Sequence, residues 1–284
     1  MTATTVPVRV AQPGLSHDFR AAAIVWRREL IRFWKDRTRI VALLIQPILF
    51  LFVLGNGLSS LTSGSTVGVD LKTFMFPGVL ATSTLFTAMF AAISVVWDRE
   101  FGFLREMMVA PVSRSSIMIG KALGGTTVAT LQGLLVIALA PLVHVSLSVP
   151  LVLELTFEVF LISFAITAFG LVIAARIKQM QAVMGIMQMI MLPLTMLSGG
   201  LYPLRELPTW LSVLVHLNPL TYGVHAVRTT VFDHLALPPE AVAALNPPVT
   251  IGGWTVPIAA QLLLITVIGV VLLTVAAVEF SRSE

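Results

Sequence analysis

Residues Val256–Val278 read VPIAAQLLLITVIGVVLLTVAAV, without one charged side chain. A helix needs about 20 mostly apolar residues to cross the hydrocarbon of a bilayer, and this run is long enough. Five further stretches satisfy the same measure: Ile40–Leu58, Phe74–Trp97, Ile117–Pro141, Val152–Ala175 and Ala182–Ser198. The last is marginal alone and extends back to Lys178 or forward to Leu201. Composition points the same way: 57% of the 284 residues are hydrophobic and 11% charged, against about 25% charged in soluble chains. Water does not solvate that much apolar surface, and lipid does. The fold class expected is an all-α integral membrane protein with six transmembrane helices. The first apolar run starts too far in for a secretory leader.

Charge tests the map independently. Eight Lys/Arg precede Ile40: Arg9, Arg20, Arg27, Arg28, Arg32, Lys35, Arg37 and Arg39. Arg99, Arg105, Arg114 and Lys121 follow the second span, Arg176 and Lys178 the fourth, and Arg282 the sixth. Only Lys72, Arg205 and Arg228 fall on the other side, so fifteen of eighteen sort together. Positive loops stay in the cytoplasm, and both termini are expected there. The net charge of +4 therefore reflects membrane sidedness and gives no reason to expect a nucleic-acid partner.

Phe19, Ala23, Trp26, Leu30 and Phe33 form one helical stripe, and Arg28, Arg32, Lys35 and Arg39 another. A greasy face beside a cationic one predicts a helix over 18–39 lying in the headgroup layer; a basic flank that merely fixes orientation is the plainer alternative. Residues 1–17 are expected to be a disordered tail, and 18–284 a single transmembrane domain. Between the fifth and sixth spans, Gly199-Gly200 breaks the helix and Pro208 opens a short run ending at Asn218-Pro219. Asn218 suits an N-cap, with Pro219 at the first helical position. Two short apolar helices within 199–232 predict a re-entrant hairpin, backbone that membranes tolerate only when protein or a wet cavity shields it; an outer loop resting on the surface is the alternative.

Catalytic patterns are missing. No cysteine exists, which excludes disulfides and thiolate chemistry. The phosphate-loop pattern fails at Gly120-Lys121, where Ser115 and Ala122 occupy the required glycine and hydroxyl positions. His17, His144, His216, His225 and His234 lack metal-ligand spacing, so no catalytic residue, metal or cofactor is expected on this chain. The loop Trp97-Asp98-Arg99-Glu100-Phe101-Gly102-Phe103-Leu104-Arg105-Glu106-Met107-Met108-Val109-Ala110-Pro111-Val112-Ser113-Arg114 is different. It predicts a short helix from Asp98 to Met108, acidic at its start and stopped by Pro111. Phe101, Leu104 and Met108 share one face, suited to docking on a cytoplasmic partner or, alternatively, to packing on the membrane surface.

The string D-R-E-x-G-x-x-x-E-x-x-x-x-P-V-S-R, then I-x-x-G-K, resembles the cytoplasmic coupling loop (98–114) of ABC-2 type transporter permeases. Here those positions are Asp98, Arg99, Glu100, Gly102, Glu106, Pro111, Val112, Ser113, Arg114, Ile117, Gly120 and Lys121. Gly199, Gly200, Pro208, Asn218, Pro219, Leu220, Thr221, Tyr222 and Arg228 resemble the same family's outer hairpin. Within the family the chain looks closest to daunorubicin-resistance-like drug and lipid exporters. The resemblance implies a bacterial inner-membrane half-transporter, in which two permease chains, identical or different, pair with two separate ATPase chains that hold the ATP and Mg²⁺. It also implies that Trp26, Arg28 and Arg32, with the Asp98–Arg114 loop, Arg105 included, and Lys121, pass ATP-driven motion into the spans.

In the fifth span, Met180, Met184, Met187 and Met191 lie on one stripe and Gln188 on the next. Pliable thioethers suit a greasy surface that accepts varied ligands; helix packing is the equal alternative. Thr84 is a polar candidate beside them. Glu154 and Glu158 are costly at membrane depth, and the reading preferred is that the fourth span begins after them. The expected function is export of a hydrophobic or amphiphilic substrate (drug, lipid or glycolipid). The alternatives are a polysaccharide exporter, for which the methionine-rich stripe is a poor sugar path, and an ion-coupled secondary transporter, which wants midplane ionisable groups.

Overall fold

The computed structural model describes residues 15–57, 70–104, 107, 112–204, 207–235, 237–251 and 253–283. Helix α1 spans Leu15–Lys35, and α2 spans Arg37–Ile48. Asp36 separates them, because its backbone leaves the helical region (φ −91°, ψ 73°) and its carboxylate accepts the Arg39 N–H at 3.0 Å. The single helix expected over 18–39 is thereby corrected. Arg37 and Arg39 open the first apolar helix and do not close the amphipathic one. Pro47 lacks an N–H to give the preceding turn, and the chain winds in wider π-helical turns over Leu49–Leu54 before resuming to Gly57.

Helices α3 (Leu71–Ala91) and α4 (Ile93–Glu100) run on as one apolar unit. Then come α5 (Arg114–Ile137), a 3₁₀ turn (Ala140–Val143), α6 (Val149–Arg176), α7 (Met180–Leu197), α8 (Thr209–Leu217), α9 (Pro219–His234) and α10 (Pro239–Leu245). A two-residue antiparallel ladder pairs Thr250–Ile251 with Trp254–Thr255, before α11 (Ile258–Ser283).

Five stretches are long and apolar enough to cross a membrane: Arg37–Gly57, Leu71–Glu100, Val149–Arg176, Met180–Leu197 and Ile258–Arg282. The expected third span falls on α5, which is long enough but more polar and is not among these five. It carries Lys121, Gln132, Thr126, Thr127 and Thr130, with Gly120, Gly124, Gly125 and Gly133. Its position explains this. Helix α5 packs against α1, α3, α6 and α11, and close helix packing selects small and hydrogen-bonding residues over bulky aliphatics. Gly125 meets the Thr167 side chain and Gly133 the Val159 side chain, so added methyl groups would collide. By contrast, α2, α7 and α11 leave Val41, Ile45, Leu192, Leu263 and Val267 uncovered, a larger apolar surface than soluble monomers present.

Helix α6 begins at Val149, ahead of both of its carboxylates, and at 28 residues it is longer than the roughly 20 that a crossing needs. Glu154 faces outward, 3.9 Å from His234. Glu158 is buried against α9, where Thr230 donates to it at 2.6 Å.

Candidate functional site

The basic residues gather at one end of the bundle, and there the chain makes its densest polar junction. Helix α1 lies across α5 on two glycines. A Cβ on Gly120 would stand 2.7 Å from the Ala22 carbonyl and from the Val25 side chain, and one on Gly124 2.8 Å from Glu29. The face turned to α5 is therefore Ala22, Val25 and Glu29, and Phe33 further along α1 is buried too. Of the stripe read from sequence, Phe19 and Ala23 are exposed, Trp26 is partly exposed and Phe33 is buried; Ile24 and Trp34, outside that stripe, are exposed as well. At the start of α5, Ser113 caps the helix through Ser116 N–H, while its own N–H donates to Asp18 at 3.0 Å. That bond holds the Asp18 carboxyl below the usual carboxylate range.

Asp98, Arg99 and Glu100 each grip a different element. Asp98 is buried between α1 and α5, accepting from Arg28 at 3.0 Å and from Lys121. Lys121 also donates to Glu29 at 2.6 Å and to the Ser94 hydroxyl at 3.2 Å. Two cations and two carboxylates thus neutralise one another where an unpaired charge would cost several kcal/mol. Arg99 reaches the end of α6, donating to the carbonyls of Ala174 and Ile177 at 3.2 Å and of Ala175 at 3.4 Å. Glu100 accepts the Met180 N–H at 2.9 Å, at the first turn of α7. The signs match the helix dipoles: a cation sits at a C-terminus and an anion at an N-terminus. The pair Arg99-Glu100 therefore spans the corner between α6 and α7.

The expectation that Asp98 and Glu100 open a short helix is corrected. They close a long one, and Gly102 (φ +80°) ends it in the left-handed conformation that glycine adopts without penalty. Leu104 turns inward while Phe101 and Phe103 stay exposed, so the apolar face divides. Arg28 lies over the Phe103 ring and Arg32 over Trp97, with 5.4 and 4.5 Å to the centroids. The Trp26 indole donates to Thr127 at 3.0 Å, and Arg114 to the Ser281 carbonyl at 2.6 Å. Arg105, Glu106, Met108 and Pro111 lie outside the described residues.

At the opposite end, the N-P-L-T-Y segment and Arg228 serve the end of α7. The Asn218 amide donates to the Leu194 carbonyl at 2.8 Å while its oxygen caps α9, and Thr221 donates to Leu197 at 3.2 Å. Arg228 donates to Gly199 at 2.7 Å and Gly200 at 3.2 Å, its guanidinium 4.4 Å from the centre of the Phe74 ring. Gly199 takes φ +72° and Gly200 lies directly on Gly78. The Tyr222 hydroxyl donates to the His216 carbonyl at 2.8 Å. Pro219 opens α9, and Pro208 precedes α8.

The methionine stripe divides too. Met187 and Met191 are buried within the chain; Met184 and Gln188 are exposed, and Met180 is half-buried. Thr84 is buried and donates to the carbonyl of Leu80 in its own helix. Sequence reading missed Glu29, Asp18 and Ser94. Glu29 did leave a signal, as the single carboxylate between Asp18 and Asp36 on a strongly basic helix.

Five long apolar helices, several of them uncovered, define a multi-pass helical membrane protein. The ABC-2 type transporter pattern matches residues 20–232, and the chain belongs to that family. It is 27% identical over 205 residues to the "Putative transport permease ycf38" of Porphyra purpurea, covering 71% of this chain and 70% of that one. It is 31% identical over 159 residues to the "Probable multidrug ABC transporter permease YbhR" of Escherichia coli K12, covering 54% and 42%. "Nodulation protein J" of Neorhizobium galegae is 25% identical over 232 residues, covering 80% and 87%.

Proposed function

We propose that this chain is the transmembrane permease subunit of an ATP-driven exporter that moves a hydrophobic or amphiphilic substrate out of the cytoplasm or inner leaflet. ATP is hydrolysed on a separate subunit with its own Mg²⁺ site, and two permease chains assemble with two ATPase chains in a bacterial inner membrane. Helix α5 supplies a sixth crossing, shielded by its neighbours; α1 lies in the headgroup layer with its exposed aromatics in lipid; α8 and α9 form a re-entrant hairpin. Both termini are cytoplasmic, on the side that holds the basic residues.

The observation that carries this reading is the Asp98-Arg99-Glu100 string. Its three side chains hold α1 and α5, the end of α6 and the start of α7, and the loop that follows is the coupling loop. A push on that loop therefore reaches four helices through charged contacts. The name of the Escherichia coli relative supports a drug-like cargo. Glu106, in the loop itself, tests the coupling. Glu106→Ala should assemble with the ATPase and lose ATP-dependent export in proteoliposomes. Export at the parent rate would count heavily against coupling through this loop.

A further inference from the structure

A cavity of about 320 Å³ lies under the corner where α1 turns into α2, lined on its polar side by Glu29, Arg32, Asp36 and Arg39. Both carboxylates are already engaged: Glu29 accepts from Lys121, and Asp36 caps α2. The guanidiniums are not. Arg32 stacks on Trp97, and neither Arg32 nor Arg39 has a side-chain hydrogen bond or ion pair with any described residue, though Arg39 lies in the fields of Asp36, Arg32 and Glu29. Two guanidiniums facing one cavity present ten N–H donors in planar forks. Like charges held together in this way are complemented by an anion with several oxygens. The floor is apolar, with Leu43, Phe90, Val128 and Met184, and α2, the first apolar helix, runs beside it.

We infer that this cavity binds the phosphate-bearing headgroup of an amphiphile, with Arg32 and Arg39 on the phosphate and an acyl chain along Leu43, Phe90 and Met184. Arginine forks match phosphate oxygens bidentately, while the floor gives a tail somewhere to lie. The inference deepens the export reading by naming the cargo's headgroup chemistry, and rests on that reading only in treating the ligand as cargo. Binding itself needs no ATPase. A failed binding test leaves coupling through Glu106 standing, and a failed coupling test leaves the binding standing.

The test is calorimetric titration of the full chain, in a neutral detergent, with a short-chain phosphatidylglycerol. Saturable binding is expected, weakened by about tenfold or more in Arg32→Gln/Arg39→Gln, which removes both forks. Arg20→Gln/Arg27→Gln, on exposed positions of α1, should bind like the parent. Met184→Trp keeps every charge but fills the floor, and should also weaken binding; it carries the test should the arginine variant fail to fold. The corresponding diacylglycerol and inorganic phosphate should not compete. Equal losses in the two arginine variants would mean general attraction of a basic helix to anionic lipid and overturn the site. Full competition by inorganic phosphate would overturn the amphiphile, and absence of saturable binding would overturn both.

Discussion

Gly78→Ala is expected to be the most damaging single-methyl change among the described residues. A Cβ at Gly78 would stand 1.9 Å from the Gly200 carbonyl oxygen, 2.4 Å from its carbon and 2.5 Å from its Cα. All three are backbone atoms, so no side chain can rotate away. Nor is the Gly199-Gly200 corner free to slide, because Arg228 holds both carbonyls while Asn218 and Thr221 hold the turn before them. Relief requires α7 to part from α3, breaking several buried hydrogen bonds together. Overpacking alone costs about 1–3 kcal/mol, and losing buried polar partners takes the total to roughly 4 kcal/mol or more. Thermal unfolding in detergent should show the variant melting far below the parent. Gly57→Ala, where nothing lies within 4 Å of the new Cβ, should melt with the parent. A Gly78→Ala protein as stable as Gly57→Ala would remove the close contact from this account.

Lys121→Met should free α1 from the bundle. The Lys121 and Asp98 side chains are 1% and 3% exposed, so removing the cation strands Asp98 with Arg28 alone and leaves Glu29 unpaired. Breaking a buried pair from one side costs about 3–5 kcal/mol, and the cheapest way to rehydrate the two carboxylates is to lift α1. The absence of native cysteine gives a clean readout. Ala22→Cys, buried against Gly120, should resist thiol reagents in the parent and react in the Lys121→Met background. Phe19→Cys, on the exposed face, should react in both. Adding Glu29→Gln and Asp98→Asn should restore part of the protection, because an unpaired buried amide costs about 1–3 kcal/mol, less than an unpaired buried carboxylate, and Arg28 can turn to water. Continued protection of Ala22→Cys in Lys121→Met would mean that apolar packing on the glycines suffices.

The spans were legible because lipid makes a demand that sequence records directly, an unbroken run of apolar residues of known length. Val256–Val278 is found within two residues at its start as α11, which runs on to Ser283. The start of α9 was legible for a local reason: Asn218 caps it, with Pro219 in the first turn. What stayed hidden depends on partners far away in the chain. The string Asp98-Arg99-Glu100 looked like a helix start, since acidic residues favour that place. Tertiary contacts with Arg28, Lys121 and the α6–α7 corner outweigh that preference, and Gly102 was the local clue to a helix end. The hydropathy of α5 is low because its surroundings are protein, a property no single helix announces. In α1, the stripe Phe19, Ala23, Trp26, Leu30 and Phe33 was legible, but the face that packs on α5 is Ala22, Val25 and Glu29, set by the two glycines opposite.

The central claim is that a separate ATP-driven motor acts on this chain through the loop that follows Glu100. The Cys-free chain allows that contact to be mapped by cross-linking in cells from single cysteines at two exposed sites, Phe103→Cys beside the loop and Trp254→Cys at the opposite end. The account predicts an adduct with an ATP-binding polypeptide from Phe103→Cys, absent from Trp254→Cys and altered in yield when nucleotide is depleted. Export that continues while the adduct forms only from Trp254→Cys, or from neither site, would contradict it.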